Sequence, residues 1–393
     1  AVNSSGLTIF VCPVATTTTA RSWIWATSPN LHSATGLNTE DHRLLSMRLT
    51  LSLDAMGGDN APLAVVEGVD KTLDRHPDVD FLLFGDEALL AAIVEGFPRV
   101  KAVTRIHHAA EVITNDQKPG TALRSGKKSS MRLAINAVAS GQAAGIVSAG
   151  NTGALMAMAK FVLKTLPGIN RPAIATCFPT QRGESVMLDL GANVECDADN
   201  LVQFAVMGEV FARNVFGLNK PSVGILNIGA EGLKGNTAVQ EASLILQDTG
   251  LPIKFSGFVE GDDIGAGTVD VIVTDGFTGN VALKTTEGTA KLISAFLKEA
   301  LTSTPLARLG AMLASPALNA FRRRLDPRRY NGAMFLGLNG VCVKSHGGTD
   351  ALGFANAIHV AVELIADGVN DGIKKDFAQL STEPHNGRRA AAG

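Results

Sequence analysis

Short loops that combine glycine with acidic or amide residues follow most of the apolar runs in this sequence. They are DAMGGDN (54–60), SAGNTGA (148–154), DLGANV (189–194), NIGAEGLKGN (227–236), TDGFTGN (274–280) and SHGGTD (345–350), with the shorter FGDE and EGDD. Glycines ahead of a helix leave backbone N–H groups available at the positive end of the helix dipole. One such loop is commonly only a tight turn, but their repetition favours a site for an anion, most simply phosphate.

The glycines, amides and hydroxyls of these loops are the predicted phosphate ligands. Ser148, Asn151 and Thr152 are the best side-chain donors, with helix capping as their alternative role. Asp54 and Asp59 would repel phosphate, so we expect them to hold loop N–H groups or a lysine in place. The predicted binding set is Asp54, Gly57, Gly58, Asp59, Ser148, Gly150, Asn151, Thr152, Gly153, Asp189, Asn193, Gly235, Asn236, Asp275, Thr278, Gly279 and Lys284.

Familiar nucleotide-binding and catalytic motifs, including those of a covalent nucleophile, are absent from the sequence. It contains no GxxxxGK[ST], no GxSxG, no HExxH and no Cys–His pair with a local signature. A reaction in which phosphate is itself the nucleophile needs none of these, because phosphate is largely the dianion near neutral pH. The protein then has to hold the anion, orient an electrophile and stabilise the oxyanion that develops on it.

The elements that would position these loops alternate regularly along the chain. Ten short apolar runs are separated by helical patterns, and several runs are almost continuously apolar, as in strands covered on both faces. This rhythm predicts an α/β fold with a doubly wound, mainly parallel sheet and helices on both faces. In such a sheet the loops after the strands gather along one edge, where ligands bind.

Composition excludes several classes of protein. The net charge is -2, which does not suggest a nucleic-acid partner. The four cysteines are far apart and form no CxxC pair, so we expect buried thiols and no zinc site or disulfide framework. No apolar run reaches 18 residues. We therefore expect no membrane-spanning helix. We also expect no bound metal and no cofactor.

The two ends of the chain differ from its centre. Residues 1–46 contain both tryptophans and a TTTT run but no strand–helix rhythm. We predict that Met47 is the natural start and that residues 1–46 are translated upstream sequence, poorly ordered, with a targeting segment as the alternative. The α/β domain is predicted to span residues 47–375, and residues 376–393 to form a flexible tail.

Six blocks of the sequence, taken in order, resemble the PlsX family of bacterial phosphate acyltransferases. The resemblance covers roughly residues 47–371, and together the blocks are far more specific than any one motif. They are LDAMGGDNAP, SAGNTGALMA, MLDLGANVECDADN, NIGAEGLKGN, TDGFTGNVALKTTEG and GVCVKSHGGTDALGFANAI.

The resemblance implies a function. Members of this family reversibly move a long fatty acyl chain from acyl carrier protein to inorganic phosphate. The acyl phosphate is then used by a membrane acyltransferase that acylates glycerol 3-phosphate in phospholipid synthesis. The resemblance also implies a homodimer, no cofactor, and a fold like that of phosphate acetyltransferases and isocitrate dehydrogenases.

Three residues are the catalytic candidates for such a reaction. Lys234, in a glycine loop, is expected to pair with phosphate or with the thioester oxyanion. Asn280 is expected to orient phosphate, or else to cap a helix. His346 is expected to donate to the leaving thiolate or the oxyanion, with a structural hydrogen bond as the alternative. Lys284, one turn beyond Asn280, faces either the site or solvent.

Residues 295–330 interrupt the α/β rhythm. Leucines recur there at helical spacing, Pro305 and Pro316 act as breaks, and an arginine cluster follows. Short amphipathic helices that end in an arginine cluster suit an anionic membrane or the acidic carrier protein, with a dimer interface as the alternative. The family resemblance implies that this segment is a protruding helical hairpin associated with peripheral membrane attachment. The predicted contact residues are Leu306, Leu309, Met312, Leu313, Arg322, Arg323, Arg324, Arg328 and Arg329.

The resemblance places the protein in the cytoplasm, peripherally attached to the inner face of the cell membrane. Alternatives to long-chain transfer remain open at this point. A short-chain phosphate acyltransferase that uses coenzyme A would share the loops, and a non-catalytic membrane scaffold would share the hairpin. A dinucleotide-dependent dehydrogenase is disfavoured by the missing phosphate fingerprint.

Overall fold

One mixed β-sheet of eleven strands organises the computed structural model, which describes residues 48–248 and 253–382. The strands are β1 (Leu49–Asp54), β2 (Val79–Gly85), β3 (Thr104–His108), β4 (Gly145–Ser148), β5 (Ala173–Thr180), β6 (Gly183–Leu188), β7 (Ser222–Leu226), β8 (Lys254–Val259), β9 (Val271–Val273), β10 (Ala333–Leu336) and β11 (Val341–Lys344).

Fourteen α-helices surround the sheet within the described residues. They are α1 (Leu63–Thr72), α2 (Glu87–Val94), α3 (Pro98–Val103), α4 (Pro119–Ser125), α5 (Ser130–Ala139), α6 (Thr152–Leu163), α7 (Ala198–Phe216), α8 (Thr237–Asp248), α9 (Gly261–Ala266), α10 (Gly276–Thr302), α11 (Pro305–Leu313), α12 (Ser315–Arg324), α13 (Ala351–Ala366) and α14 (Val369–Thr382). The predicted upstream segment lies outside the described residues. Residues 376–382 belong to α14, so the predicted tail begins too early in the chain.

The strand order is β3-β2-β1-β4-β11-β10-β5-β6-β9-β7-β8. Seven of the ten pairings are parallel, which confirms the predicted mainly parallel α/β sheet. The three pairings that join β11, β10, β5 and β6 are antiparallel. Each antiparallel pairing reverses the strand direction once. After three reversals, the block of strands β6, β9, β7 and β8 runs in the opposite direction to the block of strands β3, β2, β1, β4 and β11. The expectation that all strand-end loops share one edge is therefore wrong, because the two blocks end at opposite edges.

Both faces of the sheet are covered, which explains the near-continuous apolar strands. Leu51, Leu53 and Leu83 point into one hydrophobic core, and Leu82 and Phe84 point into the other. Successive side chains of a strand face opposite sides, so a strand buried twice has little room for polar residues.

Helices α1 and α13 pack closely against each other on one face of the sheet. A Cβ at Gly68 in α1 would lie 3.0 Å from the ring of Phe354, which is fully buried in α13. The small residue lets the aromatic ring approach the α1 backbone. This contact fixes α13, whose first turn borders the site described below.

Helices α10, α11 and α12 form the predicted protruding segment. Pro305 and Pro316 stand in the first turns of α11 and α12, where a missing N–H is tolerated. Neither α11 nor α12 contains a buried residue. Several large apolar side chains are exposed, among them Leu306 (78%) and Leu313 (75%). An apolar surface of this kind indicates an interaction site.

By length and composition, no single helix of the described residues could cross a membrane. One pair of helices bent by 46°, residues Ala351–Ala366 with Val369–Ala378, passes that test. Nine residues of α13 are buried in the protein, including Phe354 and Ile358.

Candidate active site

A cleft opens where α10 crosses the sheet, between the ends of β4 and β11 and the loop that follows β6. Its polar lining comes from two blocks of the sheet that are distant in sequence. The residues important below are Thr152, Gly153, Gly191, Asn280, Lys284, Arg328, Asn331, Lys344 and His346. We call this cavity the cleft.

Asp54 forms the buried base of the site, at the end of β1. Its two carboxylate oxygens accept hydrogen bonds from Ser130 Oγ at 2.6 Å and from Ser148 Oγ at 2.7 Å. Burial raises the pKa of Asp54, and both serine hydroxyls oppose that rise. Ser148 Oγ also accepts from the Gly150 N–H at 3.1 Å. Asp54 therefore holds the loop after β4 in place through Ser148. Its carboxylate oxygens are used in these hydrogen bonds and not for binding phosphate.

Gly57 allows that arrangement. A Cβ at position 57 would lie 2.5 Å from Asp54 Oδ2 and 2.7 Å from the Gly150 nitrogen. The two loops therefore touch through backbone, and any side chain larger than hydrogen would separate them.

Lys344, the last residue of β11, brings a cation into the cleft. Its Nζ donates to the backbone oxygen of Ala149 at 3.2 Å and to that of Ser345. Burial, and to a smaller extent the positive charge of Lys284, lowers the pKa of the Lys344 ammonium to about 8. The negative charges of Asp54 and Asp59 act in the opposite direction. Lys344 is a site residue that the loop pattern does not predict, although it lies two residues before His346 in the same block.

His346 is held in one orientation by its neighbours. The backbone N–H of His346 donates to Asn331 Oδ1 at 2.8 Å, and the ring Nδ1 accepts from the backbone N–H of Gly348 at 3.1 Å. An accepting Nδ1 assigns the proton of the neutral ring to Nε2. Partial burial and the charge of Lys284 lower the pKa of His346, which favours this neutral form. His346 is therefore a neutral N–H donor at the rim of the cleft.

The opening loop of the domain is tied to the loop after β11. The Asp59 N–H donates to the Gly347 oxygen at 2.8 Å, and Asn60 Nδ2 donates to the Thr349 oxygen at 2.8 Å. Asp59 Oδ1 accepts from Asn115 Nδ2 at 2.9 Å. Asp59 and its neighbour Asn60 therefore connect these loops.

The start of α6 presents backbone to the cleft. Asn151 Oδ1 caps the helix by accepting from the Ala154 N–H at 2.9 Å, and Asn151 Nδ2 donates to the oxygens of Asn115 and Gln117. Its side chain is therefore used for capping, the alternative considered above. Thr152 and Gly153 line the cleft.

The loop after β6 is organised around a second buried acid. Asp189 accepts from the N–H groups of Ile174, Ala192 and Asn193 and from Asn193 Nδ2, all between 2.7 and 3.0 Å. Burial raises the pKa of Asp189, and these hydrogen bonds oppose the rise. Asp189 and Asn193 support the site and do not line the cleft.

Helix α10 carries the other side of the cleft. Asp275 is its N-cap and accepts from the N–H and the hydroxyl of Thr278, each at 2.8 Å. Asn280 is therefore not the cap, and it lines the cleft beside Gly191. Lys284 also lines the cleft, paired with Glu287 at 2.9 Å.

Lys234 lies elsewhere on the chain. The loop that holds it follows β7, two strands from β6 in the sheet, and its side chain is exposed. Gly235 has a φ of 93°, and Asn236 Oδ1 accepts from the Val239 N–H at 2.9 Å, so these residues shape a turn and cap α8. Within one chain, Lys234 is not among the residues that line the cleft.

Of the five arginines predicted to contact a partner, one lies at the cleft. Arg328 lines it and pairs with Asp326 at 2.7 Å and with Asp350 at 3.0 Å. Arg324 Nη2 donates to the Thr180 oxygen at 3.0 Å. Of the remaining three, Arg322 and Arg323 are exposed and Arg329 is half-buried.

The chemistry of the cleft suits an anion. Three lysines, a neutral histidine N–H, an amide and the first residues of α6 line it. Such donors, fixed before a reaction begins, stabilise negative charge on an oxygen.

Comparison with known proteins identifies the family of this chain. Residues 49–371 match the family model described as "Fatty acid synthesis protein". A protein named phosphate acyltransferase from Rhodospirillum rubrum is 62% identical over 340 residues, which cover 86% of this chain and 97% of that protein. The protein of the same name from Paramagnetospirillum magneticum is 59% identical, with 89% and 99% covered.

Solved structures show the same fold. A phosphotransacetylase from Streptococcus pyogenes superposes with a TM-score of 0.57 at 16% identity, covering 81% of this chain and 94% of that one. The EutD phosphotransacetylase from Staphylococcus aureus gives a TM-score of 0.51 at 18% identity, with 82% and 94% covered. On the family match and the close relatives, this chain belongs to the PlsX family of fatty acid synthesis proteins and is an acyltransferase.

Proposed function

We propose that this enzyme transfers a long-chain fatty acyl group from acyl carrier protein to inorganic phosphate. The product is an acyl phosphate, the acyl donor for a membrane glycerol-3-phosphate acyltransferase. The name of the relatives, phosphate acyltransferase, supports phosphate as the acceptor. The carrier-protein donor and the long chain rest on the sequence resemblance and on the surface described next.

One observation supports the proposal most strongly: a cationic cleft borders an exposed apolar helix. Lys284, Lys291 and Ser294 of α10 line the cleft. The same stretch of helix exposes Leu292, Ile293 and Phe296 to solvent. A phosphate site therefore lies next to a surface that a long acyl chain can contact, and a two-carbon acyl group would have no use for that surface.

In the proposed reaction a phosphate oxygen attacks the thioester carbonyl carbon. The new C–O bond forms, and the C–S bond then breaks and releases the carrier thiolate. Lys344 and Lys284 hold the phosphate charge, and the N–H groups of Thr152 and Gly153 orient it. His346 Nε2–H donates to the oxyanion or to the departing sulfur. No protein nucleophile takes part, in line with the motifs absent from the sequence.

We also propose that the enzyme is a cytoplasmic homodimer that attaches to the inner face of the membrane. Exposed Leu306, Leu309, Met312 and Leu313 support an apolar contact, and the nearby arginines support an anionic partner. The homodimer rests on the sequence resemblance.

The reaction is tested with three donors at equal concentration: palmitoyl-acyl carrier protein, palmitoyl-coenzyme A and acetyl-coenzyme A, each with inorganic phosphate. We expect acyl phosphate chiefly from the carrier-protein donor. Product mainly from acetyl-coenzyme A would assign the chain to the short-chain transferases. No product from any donor would favour the scaffold alternative.

A further inference from the structure

Three potential metal ligands meet between the end of α1 and the middle of α13, on a part of the molecule that the proposed reaction does not use. His76 Nε2 lies 2.7 Å from His359 Nδ1, and His359 Nδ1 lies 3.8 Å from Glu363 Oε1. All three ligand atoms lie within 4.8 Å of one another. His359 and Glu363 are one helical turn apart, so they share a face of α13.

We propose that His76, His359 and Glu363 bind one divalent transition-metal ion, with Zn²⁺ as the preferred ion. Two imidazole nitrogens and one carboxylate oxygen form a set of ligands that zinc accepts, and water can complete a tetrahedron. Imidazole selects against Mg²⁺ and Ca²⁺, which prefer all-oxygen sites.

The contact between the two histidines already needs a nitrogen that accepts. His76 Nε2 and His359 Nδ1 lie 2.7 Å apart, so at least one of these two nitrogens carries no proton. The short N···N contact shares one proton. Metal binding moves that proton to a ring nitrogen facing away from the ion, and both facing nitrogens then become ligands.

The charged groups around the three ligands have both signs. Arg75 opposes a cation, since its charge contributes to the lowered pKa of both histidines. Glu363 supplies a carboxylate as a ligand. Asp367, one turn further along α13, contributes to the raised pKa of Glu363 and adds a second carboxyl group beside the site. The two acids outnumber the one arginine.

The geometry requires only small shifts. Two ligand atoms on one tetrahedral zinc, each about 2.05 Å from it, are about 3.3 Å apart. The two nitrogens therefore separate by about 0.6 Å, and the carboxylate oxygen approaches His359 Nδ1 by about 0.5 Å and approaches His76 Nε2 from a distance of at most 4.8 Å. The Glu363 side chain is 38% exposed and the His359 side chain 12% exposed, so an ion can enter from solvent on the glutamate side.

The position of the site assigns its role. His359 lies nine residues after Asp350, the N-cap of α13, which corresponds to about 14 Å along the helix axis. A metal there joins the end of α1 to α13 and does not reach the cleft. We therefore expect it to stabilise the fold and to leave acyl transfer unchanged.

The test uses the full chain without a histidine tag, and Co²⁺ as a spectroscopic probe. We expect one Co²⁺ per chain with the visible absorption of a tetrahedral site, displaced by Zn²⁺, and a midpoint of thermal unfolding that rises with zinc concentration. His76→Asn and Glu363→Gln should each weaken affinity by more than the roughly tenfold to hundredfold caused by losing a supporting group. Both replace side chains that are not fully buried, so we expect the variants to fold.

The matched control is His108→Asn, which removes an exposed histidine from the adjacent His107–His108 pair. It should bind Co²⁺ like the wild type. Absence of a stoichiometric cobalt spectrum in the wild type would overturn the proposal, leaving the His76–His359 contact as a hydrogen bond only. Equal affinity of folded His76→Asn would also overturn it.

Discussion

At the level of single residues, the proposed acyl transfer depends most on Lys344. We predict that Lys344→Ala lowers kcat/KM for acyl phosphate formation by on the order of 100-fold, because a fixed cation beside the phosphate is lost. Lys344→Arg should retain part of the activity. Product is measured with saturating donor, and circular dichroism checks that the variants fold.

Lys234→Ala is the informative comparison. The sequence predicts that it abolishes the reaction, whereas its exposed position outside the cleft of one chain predicts activity comparable to the wild type. Loss of turnover in folded Lys234→Ala with normal turnover in Lys344→Ala would move the phosphate site to the loop after β7. The opposite result would assign the reaction to the cleft.

The pKa of Lys344 predicts a pH dependence. Burial lowers this pKa to about 8, so the ammonium loses its proton as pH rises through that value. Only the protonated form offsets the phosphate charge, and kcat/KM should therefore fall above about pH 8, toward tenfold per unit. Lys344→Arg keeps its charge, and its profile should stay flat past pH 9. An identical fall in Lys344→Arg would exclude Lys344 as the titrating group.

Sequence reasoning found part of the site at this scale. His346 and Asn280 were selected from glycine-rich loops and Lys284 from the helix one turn beyond Asn280, and all three line the cleft. Lys344 was missed because it ends a strand and resembles an ordinary polar residue there. Its ammonium is positioned by a hydrogen bond to the backbone oxygen of Ala149, which is 195 residues away in sequence. Local pattern carries no information on such a contact.

At the scale of elements, the start of α10 depends on a close backbone approach. A Cβ at Gly279 would overlap the backbone carbonyl oxygen of Asp189. Gly279→Ala must therefore push α10 away from the loop after β6. We predict a loss of unfolding free energy of about 3 kcal/mol or more, and of activity with it, measured by urea unfolding.

Gly288→Ala is the matched control, because it lies in the same helix and its Cβ would meet nothing within 4 Å. It should raise stability by up to about 1 kcal/mol, since alanine favours a helix over glycine. Equal effects of the two substitutions would refute a steric role for Gly279.

The exposed helices α11 and α12 give a second prediction at this scale. Leu309→Glu combined with Leu313→Glu should release the protein from anionic vesicles in a sedimentation assay, because two charges replace apolar contacts. Leu244→Glu, at a 65% exposed leucine of α8, is the control and should sediment like the wild type. Unchanged sedimentation of the double variant would assign the segment to a subunit interface.

The elements themselves were largely predictable. Each of the ten apolar runs corresponds to a strand, and the local signature is strongest where a strand is buried on both faces, as in β2 and β4. Strand β10 was missed: it is four residues long and follows a helical segment. The proline breaks at Pro305 and Pro316 were read correctly, since proline acts on its own backbone.

At the scale of the whole molecule, the reversal within the sheet creates the site. The antiparallel strands β10 and β5 turn the second block around, so the cleft forms where α10 from one block meets the strand ends of the other. Sequence rhythm predicts alternation of strands and helices, but strand direction depends on which distant strands pair. The one-edge arrangement was therefore the natural expectation, and it was wrong for a physical reason that no local pattern contains.

The most direct test follows labelled phosphate and the released thiol together. Protein is given radiolabelled inorganic phosphate and palmitoyl-acyl carrier protein, and labelled acyl phosphate and free carrier thiol are counted in the same sample. The account predicts equal amounts of the two for the wild type, and loss of both for Lys344→Ala. Thiol released without labelled acyl phosphate would show hydrolysis instead of transfer to phosphate, and would contradict the account.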